Sequence, residues 1–220
     1  MKLLVTLLLT IASTSAQLVE LRPDILDLLN ATAQPVTHKG AFGLRLTEAK
    51  KADSATAATA FGLAMLRGVT MQNGEIELEV AGEPGPTASP DARGFVGIAF
   101  RVKDERHMEV IYLRPTNGRA DDQVRRNHTV QYEYFPDFPW ERLRREFPKK
   151  YETYVDLESG AWTRIRIVID GLKARLYVHG AAQPTLIVND MKGPTEAGGI
   201  GLWIGPGTVG HFRGLKITKK

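Results

Sequence analysis

Three glutamates alternate along a single predicted strand, and they are the first residues in this sequence that could do chemistry. Glu75, Glu77 and Glu79 are separated by apolar residues, so their carboxyl groups share one face of the strand. Glycoside hydrolysis needs two carboxyl groups, one as the acid and one as the base or nucleophile. Alternate residues on a strand have Cα atoms roughly 6.6 Å apart, from which two side chains can reach the separation that glycosidases use. The alternative is an amphipathic strand whose acidic face is solvated.

A second candidate group gathers hydrogen-bonding side chains at and after the predicted strand 108–114. Its members are Tyr112, Arg114, Asn117, Arg119, Asn127, His128 and Gln131, joined by Asp121 and Asp122. Planar donors such as arginine and asparagine match sugar hydroxyls or carboxylates with paired hydrogen bonds. Because binding residues collect in loops at strand ends, we predict that Arg114, Asn127 and His128 lie close together, beside an aromatic residue. The alternative is a polar loop closed by ion pairs, such as those of Arg114 with Asp121 or Asp122.

Aromatic residues form a third candidate group in the same part of the chain. The group follows His128 and consists of Tyr132, Tyr134, Phe135, Phe138 and Trp140, with Pro136 and Pro139 between them. Aromatic faces stack on the C–H side of sugar rings, and prolines would hold such a loop rigid. The alternative is a loop that packs its own small core beneath a predicted helix at 140–147.

The alternation of two predicted strands adds two further candidates for the binding of a ligand. In the strands 94–102 and 198–204, one face is aliphatic and the other is mixed. Arg101 and Trp203 lie on the mixed faces. A two-sheet sandwich buries one apolar face of each strand, so the mixed faces of one sheet can form a binding groove.

Period-two alternation between turn signals predicts an antiparallel, all-β protein. The predicted strands are 41–46, 61–66, 74–81, 94–102, 108–114, 129–134, 162–169, 173–178, 185–188, 198–204 and 211–218. A short N-terminal helix is predicted at 24–29, after Pro23, and the helix at 140–147 belongs to an insertion that spans 116–154. So many strands at this spacing indicate a two-sheet antiparallel jelly-roll sandwich.

The first sixteen residues are typical of a secretory signal peptide. Lys2 precedes the apolar run 3–11, and small residues lead to a predicted cleavage site after Ala16. The run is far shorter than the roughly 20 residues that span a bilayer. We therefore expect a secreted or periplasmic protein without a membrane span, in which 17–36 form an N-terminal segment and 37–220 the sandwich domain.

Composition excludes several classes of site. The chain has no cysteine, which rules out disulfides, thiolate metal sites and cysteine nucleophiles. A net charge of +4 without a long basic block argues against a nucleic-acid partner. The five histidines lack close metal-ligand spacing, so no metal and no cofactor are predicted. A calcium site stays open as an alternative, but the Asp121–Asp122 pair lacks the glycine-spaced loop of a calcium motif.

Six segments between residues 73 and 217 carry a resemblance to a known family. They are NGEIELEVAG, ARGFVGIAFRV, YLRPTNGRADD, RNHTVQY, KARLYVHGAAQPTLIVND and GGIGLWIGPGTVGHFRGLKI. The chain here resembles the secreted bacterial concanavalin A-like proteins, of the laminin-G-like and 3-keto-disaccharide hydrolase type. The resemblance implies a two-sheet jelly roll and a carbohydrate ligand, whereas the activity stays open because this superfamily includes lectins, hydrolases and adhesion modules.

Two function classes remain open from the sequence. The first is a noncatalytic carbohydrate-binding or surface-interaction module that uses the aromatic and Arg/Asn loops. The second is a glycoside-cleaving hydrolase that uses carboxylates of the Glu75/Glu77/Glu79 strand, a run similar to the E-x-D-x-E signature of glycoside hydrolase family 16. Glu77 departs from that signature, which has aspartate there, and the rest of that active-site sequence is not evident. The two classes differ in whether the glutamates share a groove with Tyr112 and Arg114.

Overall fold

The computed structural model describes residues 16–49 and 61–220. Apart from Ala16, the predicted signal peptide lies outside the described residues, and so do residues 50–60. No helix in the described part of the chain is both long and apolar enough to cross a bilayer.

Antiparallel strands dominate the structure, with helices only in short connections. The strands are β1 (Ala16–Val19), β2 (Leu26–Leu29), β3 (Ala31–His38), β4 (Ala41–Glu48), β5 (Gly62–Met71), β6 (Gly74–Pro84), β7 (Val96–Val102), β8 (Met108–Leu113), β9 (Val130–Phe135), β10 (Glu152–Thr153), β11 (Thr163–Asp170), β12 (Lys173–Val178), β13 (Leu186–Val188), β14 (Gly198–Ile204) and β15 (Thr208–Lys219). The helices are α1 (Gln123–Asn127) and α2 (Trp140–Glu146), with 3-10 turns at Pro23–Ile25 and Pro115–Asn117.

These strands form two sheets that pack face to face. Sheet A has the order β13-β12-β11-β6-β15-β4-β3, and β1 also pairs with β15. Sheet B has the order β10-β9-β8-β7-β14-β5-β2. Strands that are distant in sequence are neighbours in both sheets, which makes the domain a jelly-roll sandwich, as the sequence predicts.

The main core lies between the two sheets and follows the alternation of the strands. From sheet A, Ile76 and Leu78 point inward and are at most 1% exposed. From sheet B, Ile98 and Leu202 meet them in the same apolar cluster. Each strand thus buries one aliphatic face, as period-two alternation predicts.

Sheet B is also covered on its outer face, and this second layer positions the candidate site. Phe61, Val110, Tyr112 and Trp203 form an apolar cluster that is separate from the main core. All six residues of β8 are buried, because this strand is covered on both faces. The insertion that carries α2 borders this outer face through Trp140, which lines a cavity with Tyr112 and Trp203, whereas Leu143 of α2 packs into the main core.

The N-terminal part differs from its prediction. Pro23–Ile25 is only a 3-10 turn, and Leu26–Leu29, predicted as helix, is strand β2 beside β5. Residues 17–36 contribute strands to both sheets. The helix predicted at 140–147 is confirmed as α2, which ends one residue earlier.

Candidate functional site

A groove runs across the outer face of sheet B and consists of two adjoining cavities of about 590 and 560 Å³. Asp91, Phe95 and Trp140 line both cavities and so join them. We call the larger cavity the basic arm; its other lining residues are Arg93, Arg114, Asn117, Asp122, Val124, Arg125, His128 and Arg144. The second is the aromatic arm; its other lining residues are Phe61, Ser89, Ala92, Tyr112, Glu133, Phe135, Pro136, Pro139, Glu141, Trp203 and Pro206.

The pairing of β8 with β9 brings the polar residues of the groove onto one face. Tyr112 lies directly opposite Gln131, and Val110 lies opposite Glu133. Residues that face each other across an antiparallel pair point to the same side, so Tyr112, Gln131 and Glu133 all project outward from sheet B. Arg114 lies two residues beyond Tyr112 and projects from the same side.

Arg114 is a buried cation that is held entirely by neutral groups. It is 5% exposed. Its Nη1 donates to the carbonyl oxygen of His128 at 3.0 Å, and its Nη2 donates to the hydroxyl of Tyr112 at 2.8 Å. The amide oxygen of Gln131 accepts longer contacts of 3.4 and 3.5 Å. The ion pair with Asp121 or Asp122 that the sequence left open is not formed, since Asp122 instead caps α1 by accepting from the backbone N–H of Arg125 at 2.9 Å.

Glu133 lies at the floor of the aromatic arm and is fully buried from solvent. The hydroxyl of Tyr112 donates a short hydrogen bond to Glu133 Oε1. Glu133 Oε2 is also buried and forms no well-aligned hydrogen bond among the described residues, although the backbone N–H of Trp140 lies close enough to stabilise the charged carboxylate. Burial raises the pKa of Glu133 to about 7, against the opposing effects of the Tyr112 hydrogen bond, the Arg114 charge and the Trp140 N–H. This carboxyl therefore carries a proton part of the time at neutral pH.

Trp203 forms an apolar wall of the same arm and has a free donor. Its ring centroid is 4.8 Å from that of Tyr112 and 6.3 Å from that of Phe61. The indole Nε1 is buried and finds no acceptor within the part of the chain that the structure describes. A buried donor without a partner is costly, so this N–H is an unsatisfied polar group beside the cavity.

The carbonyl oxygen of His128 organises the basic arm. It accepts from Arg114 and also from Asn117 Nδ2, at 3.1 Å. Asn117 Oδ1 in turn accepts from Arg125 Nε at 3.0 Å. This chain of hydrogen bonds fixes the guanidinium groups of Arg114 and Arg125 in one cavity.

The imidazole of His128 belongs to a charged cluster at the edge of the basic arm. Glu152, whose side chain is 5% exposed, lies 2.7 Å from His128 Nδ1 and 2.7 Å from Arg144 Nη2. Burial lowers the pKa of His128, as do the charges of Arg144 and Arg114, whereas Glu152 opposes the shift. Arg144 also lies 4.6 Å above the ring of Trp140 and so orients this aromatic side chain at the junction of the arms.

The structure brings six of the predicted binding residues together in the groove: Tyr112, Arg114, Asn117, His128, Trp140 and Trp203. It places Asn127 elsewhere, because this residue ends α1 and its side chain accepts from Gln123 at 2.8 Å. Tyr132 and Tyr134 belong to the opposite face of β9 and pack against the main core. The hydroxyl of Tyr132 donates to the buried Glu109, whose pKa burial raises to about 7.

Arg101 is directed away from the groove by a β-bulge. The pairing of β7 with β14 shifts between Gly199 and Gly201, and Arg101 has a φ of 49°. Two residues of a bulged strand oppose one residue of its partner, so the alternation predicted from the sequence fails at this point. Arg101 instead donates to the carbonyl oxygens of Gln72 and Gly171 at 3.0 and 2.7 Å. It ties the β5–β6 turn, which connects the two sheets, to the β11–β12 turn of sheet A.

The three glutamates of β6 lie on the outer face of sheet A, on the opposite side of the sandwich from the groove. Each forms an ion pair with a neighbouring strand: Glu75 with Arg166 at 3.3 Å, Glu77 with Arg164 at 2.9 Å, and Glu79 with Arg213 at 2.7 Å. Partial burial raises the pKa of Glu77, but Arg164 and Lys216 outweigh it and hold the pKa below its usual value. These glutamates form a charge ladder and do not share a groove with Tyr112, Arg114 or Trp203.

Sequence reasoning missed several residues of the groove. Glu133 shares the parity of Gln131, so the same face of β9 could have indicated it. Phe95 lies on the mixed face next to β7, and its position beside Arg114, 5.9 Å from ring centroid to guanidinium, depends on tertiary packing. Arg125 and Arg144 belong to helices whose orientation the sequence does not reveal.

One group of potential metal ligands occurs in the described residues, on sheet A and away from the groove. Ligand atoms of His38, Glu83 and His211 lie within 4.8 Å of one another. The two imidazole rings stack, with centroids 3.8 Å apart and an angle of 14° between planes. A ring nitrogen binds a metal in the plane of its ring, so the lone pairs of stacked rings do not converge on one ion. We therefore interpret this group as a packing contact.

Comparisons with known proteins identify the fold. No protein-family model matches the sequence, and no curated protein matches it. Among solved structures, carbohydrate-binding module CBM66 from Bacillus subtilis is similar, with a TM-score of 0.58 and 10% identity over 88% of this chain and 95% of that chain. A Bacillus subtilis protein of unknown function with a galectin-like fold gives 0.56 and 13% over 90% of each chain. The exoplasmic domain of VIP36, in its Ca²⁺- and Man3GlcNAc-bound form, gives 0.55 and 9% over 93% and 91%. The chain therefore has a concanavalin A-like, lectin-type β-sandwich fold, which confirms the fold predicted from the sequence.

Proposed function

We propose that this protein is a carbohydrate-binding module that holds a saccharide in the groove on the outer face of sheet B. The observation that carries the proposal is the pair of buried polar atoms at the floor of the aromatic arm. Glu133 Oε2 and Trp203 Nε1 both lack a well-aligned hydrogen-bond partner among the described residues, and both residues line the same cavity.

A sugar hydroxyl matches these two atoms because it donates and accepts at the same time. It would donate to Glu133 Oε2 and accept from Trp203 Nε1, so that neither atom stays buried without a partner. The rings of Phe61, Phe95 and Trp203 offer apolar faces to the C–H side of a pyranose or furanose ring. Polar edges and apolar faces alternate in a saccharide, and this groove presents both kinds of surface.

The comparisons support the ligand class. Of the two similar structures, CBM66 is a carbohydrate-binding module, and the VIP36 domain was solved in a form bound to Man3GlcNAc. The predicted signal peptide is consistent with a role outside the cytoplasm, where such a module would meet polysaccharides. Secretion or export to the periplasm is part of the proposal.

The hydrolase alternative has less support than binding. A hydrolase built on β6 would have its carboxylates paired with arginines on the other side of the sandwich. Glu133 has the raised pKa of a general acid, and the carboxyl groups of Asp91 and Glu141 line the same arm. A hydrolase in the groove would need one of these two to act as base or nucleophile across the scissile bond.

A glycan-array screen followed by calorimetry tests the proposal. Trp203→Phe keeps most of the aromatic wall and removes the indole donor, so affinity for the strongest saccharide should fall about five-fold, equivalent to one net hydrogen bond. Glu133→Gln replaces the carboxyl oxygen that would accept from the sugar hydroxyl with an amide group. This change should weaken saccharide binding about ten-fold. Trp162→Phe is the matched control, because Trp162 lies on sheet A and donates to the carbonyl of His38.

Absence of saccharide binding by the folded wild-type protein, or equal affinities of wild type and both groove variants, would contradict the proposal. A reducing-sugar assay on the same glycans separates the two functions. Release of product that Glu133→Gln abolishes would identify a hydrolase in the groove. Release that Glu77→Gln abolishes would place the chemistry on β6.

A further inference from the structure

The basic arm contains more positive charge than its own carboxylates neutralise. Four arginines line it, and two of them have carboxylate partners: Arg93 with Asp91 at 3.4 Å, and Arg144 with Glu152 at 2.7 Å. Arg114 and Arg125 form no ion pair with any carboxylate of the described residues, and their hydrogen bonds go to neutral oxygens. The arm therefore has two unpaired guanidinium groups.

The absence of a carboxylate partner is unusual for Arg114 because this residue is buried. An exposed arginine needs no counter-ion because water solvates it, but a cation that is 5% exposed has lost most of that solvation. Arg114 is linked to the carboxyl group of Glu133 through the hydroxyl of Tyr112. Since the pKa of Glu133 is about 7, this carboxyl compensates Arg114 only in part at neutral pH.

Arg125 adds a second cation that the fold holds in place. Asn117 orients its Nε, and Thr116 Oγ1 accepts from its Nη2 at 3.3 Å. Partial burial lowers the pKa of Arg125, and the charge of Arg93 acts in the same direction, against the weaker effects of Asp122 and Asp91. Like charges are thus held close together at the wall of a cavity of about 590 Å³, which is large enough for a sugar residue.

We propose that the basic arm binds an anionic saccharide, whose carboxylate or sulfate group lies between Arg114 and Arg125. Planar guanidinium groups bind both kinds of anion through paired, charge-assisted hydrogen bonds. The aromatic arm, joined through Trp140, would hold the neighbouring sugar ring. The inference depends on the proposed function and specifies its ligand class.

Calorimetry with pairs of saccharides that differ in charge tests this inference. Oligogalacturonate is compared with its methyl ester, and carrageenan oligosaccharides are compared with neutral agarose oligosaccharides, so that the carboxylate and sulfate sources are separated. We expect at least one acidic member to bind about ten-fold or more tightly than its neutral partner, and its affinity to fall with added salt.

Two matched arginine variants test which positive charge contacts the anionic group of the ligand. Arg125→Gln, at a half-buried position that should not disturb folding, should lower the affinity for the acidic member about five- to ten-fold more than the affinity for the neutral member. Arg142→Gln makes the same change on α2, where Arg142 pairs with Glu146 outside the groove, and should alter neither affinity. Circular dichroism and thermal melts of both variants establish that they are folded.

Each remaining outcome counts against the inference. Equal binding of acidic and neutral members, or an equal loss for both in Arg125→Gln, would overturn the anionic ligand and leave the saccharide-binding proposal intact. Binding of neutral glycans alone would likewise overturn the anionic ligand and leave the saccharide-binding proposal intact. Failure of the wild-type protein to bind any member of this panel and any glycan of the array would overturn both.

Discussion

Arg114 and Glu133 are connected through a single hydroxyl group, that of Tyr112. Arg114 Nη2 donates to this hydroxyl at 2.8 Å, and the hydroxyl donates to Glu133 Oε1. The relay joins the basic arm of the groove to its aromatic arm. It also means that one oxygen atom satisfies two buried groups of opposite charge.

Removal of that hydroxyl should destabilise the protein. In Tyr112→Phe, Arg114 and Glu133 each lose a buried hydrogen-bond partner, so the free energy of unfolding should fall by about 1–3 kcal/mol. Urea denaturation measures the change. Tyr154→Phe is the control, because the Tyr154 hydroxyl accepts from Arg126 at an exposed site and its loss should cost less than about 0.5 kcal/mol. Equal stability of Tyr112→Phe and wild type would show that the relay is not formed.

The two buried carboxyls should give the stability a defined dependence on pH. The pKa of Glu109 is raised from 4.5 to about 7, so between these pH values the folded state binds a proton that the unfolded state lacks. Its contribution to the free energy of unfolding is therefore full below about pH 4.5 and falls as the pH rises to about 7, by up to about 1.4 kcal/mol per pH unit. Glu133 acts with the same sign.

The test compares variants, because His211 acts in the opposite direction. Burial lowers its pKa to about 4, so its contribution rises with pH over part of the same range. We expect the stability difference between wild type and Glu109→Gln to decrease steadily from pH 4.5 to 7 and then to level off. A difference that stays constant across this range would contradict the raised pKa. Glu77→Gln, whose carboxyl has a lowered pKa, should show no such decrease.

Glu77→Gln should have little effect on stability or ligand binding. The ion pairs of Glu77 with Arg164 and Lys216 are partly solvated, and such pairs contribute about 1 kcal/mol or less. Thermal melts and calorimetry of the folded variant measure both quantities. A ten-fold loss of saccharide affinity in this variant would place the ligand on sheet A instead of in the groove.

Arg101→Met should lower stability strongly without changing ligand affinity. Arg101 is 2% exposed, and its removal leaves the carbonyl oxygens of Gln72 and Gly171 without this donor. A loss of about 2–4 kcal/mol is typical of a broken buried polar network. Calorimetry on the folded fraction should give an unchanged dissociation constant. A selective loss of affinity would restore Arg101 to the binding site, where sequence alternation placed it.

Local patterns predicted the sandwich well because each strand carries its own period-two signal. Strand β11, for example, alternates buried Ile165 and Ile167 with solvent-facing arginines, as the sequence indicates. The short segment after Pro23 carries no such signal: Leu26–Leu29 has four residues, and only its pairing with β5 makes it a strand. Helix and strand have similar local preferences there, and tertiary pairing decides between them.

The candidate site was predictable only in part, for two physical reasons. Parity correctly places Tyr112, Arg114 and Trp203 on one surface, because β8 and β14 have regular registers at these positions. It fails at Arg101, where a bulge interrupts the alternation. Parity also gives no information on which sheet faces the insertion. From the sequence, the acidic face of β6 was therefore a candidate site as well as the residues of the groove.

The indole N–H resonances of the protein test the central claim most directly. The chain has three tryptophans, and two of them, Trp140 and Trp203, line the groove, whereas Trp162 lies on sheet A with its N–H bonded to His38. In a ¹H–¹⁵N spectrum titrated with the tightest-binding saccharide, the Trp203 signal should shift strongly as its free donor gains an acceptor. The Trp140 signal should shift with it, and the Trp162 signal should stay in place. A shift confined to Trp162, or saturation binding that moves neither Trp140 nor Trp203, would contradict a ligand site in the groove.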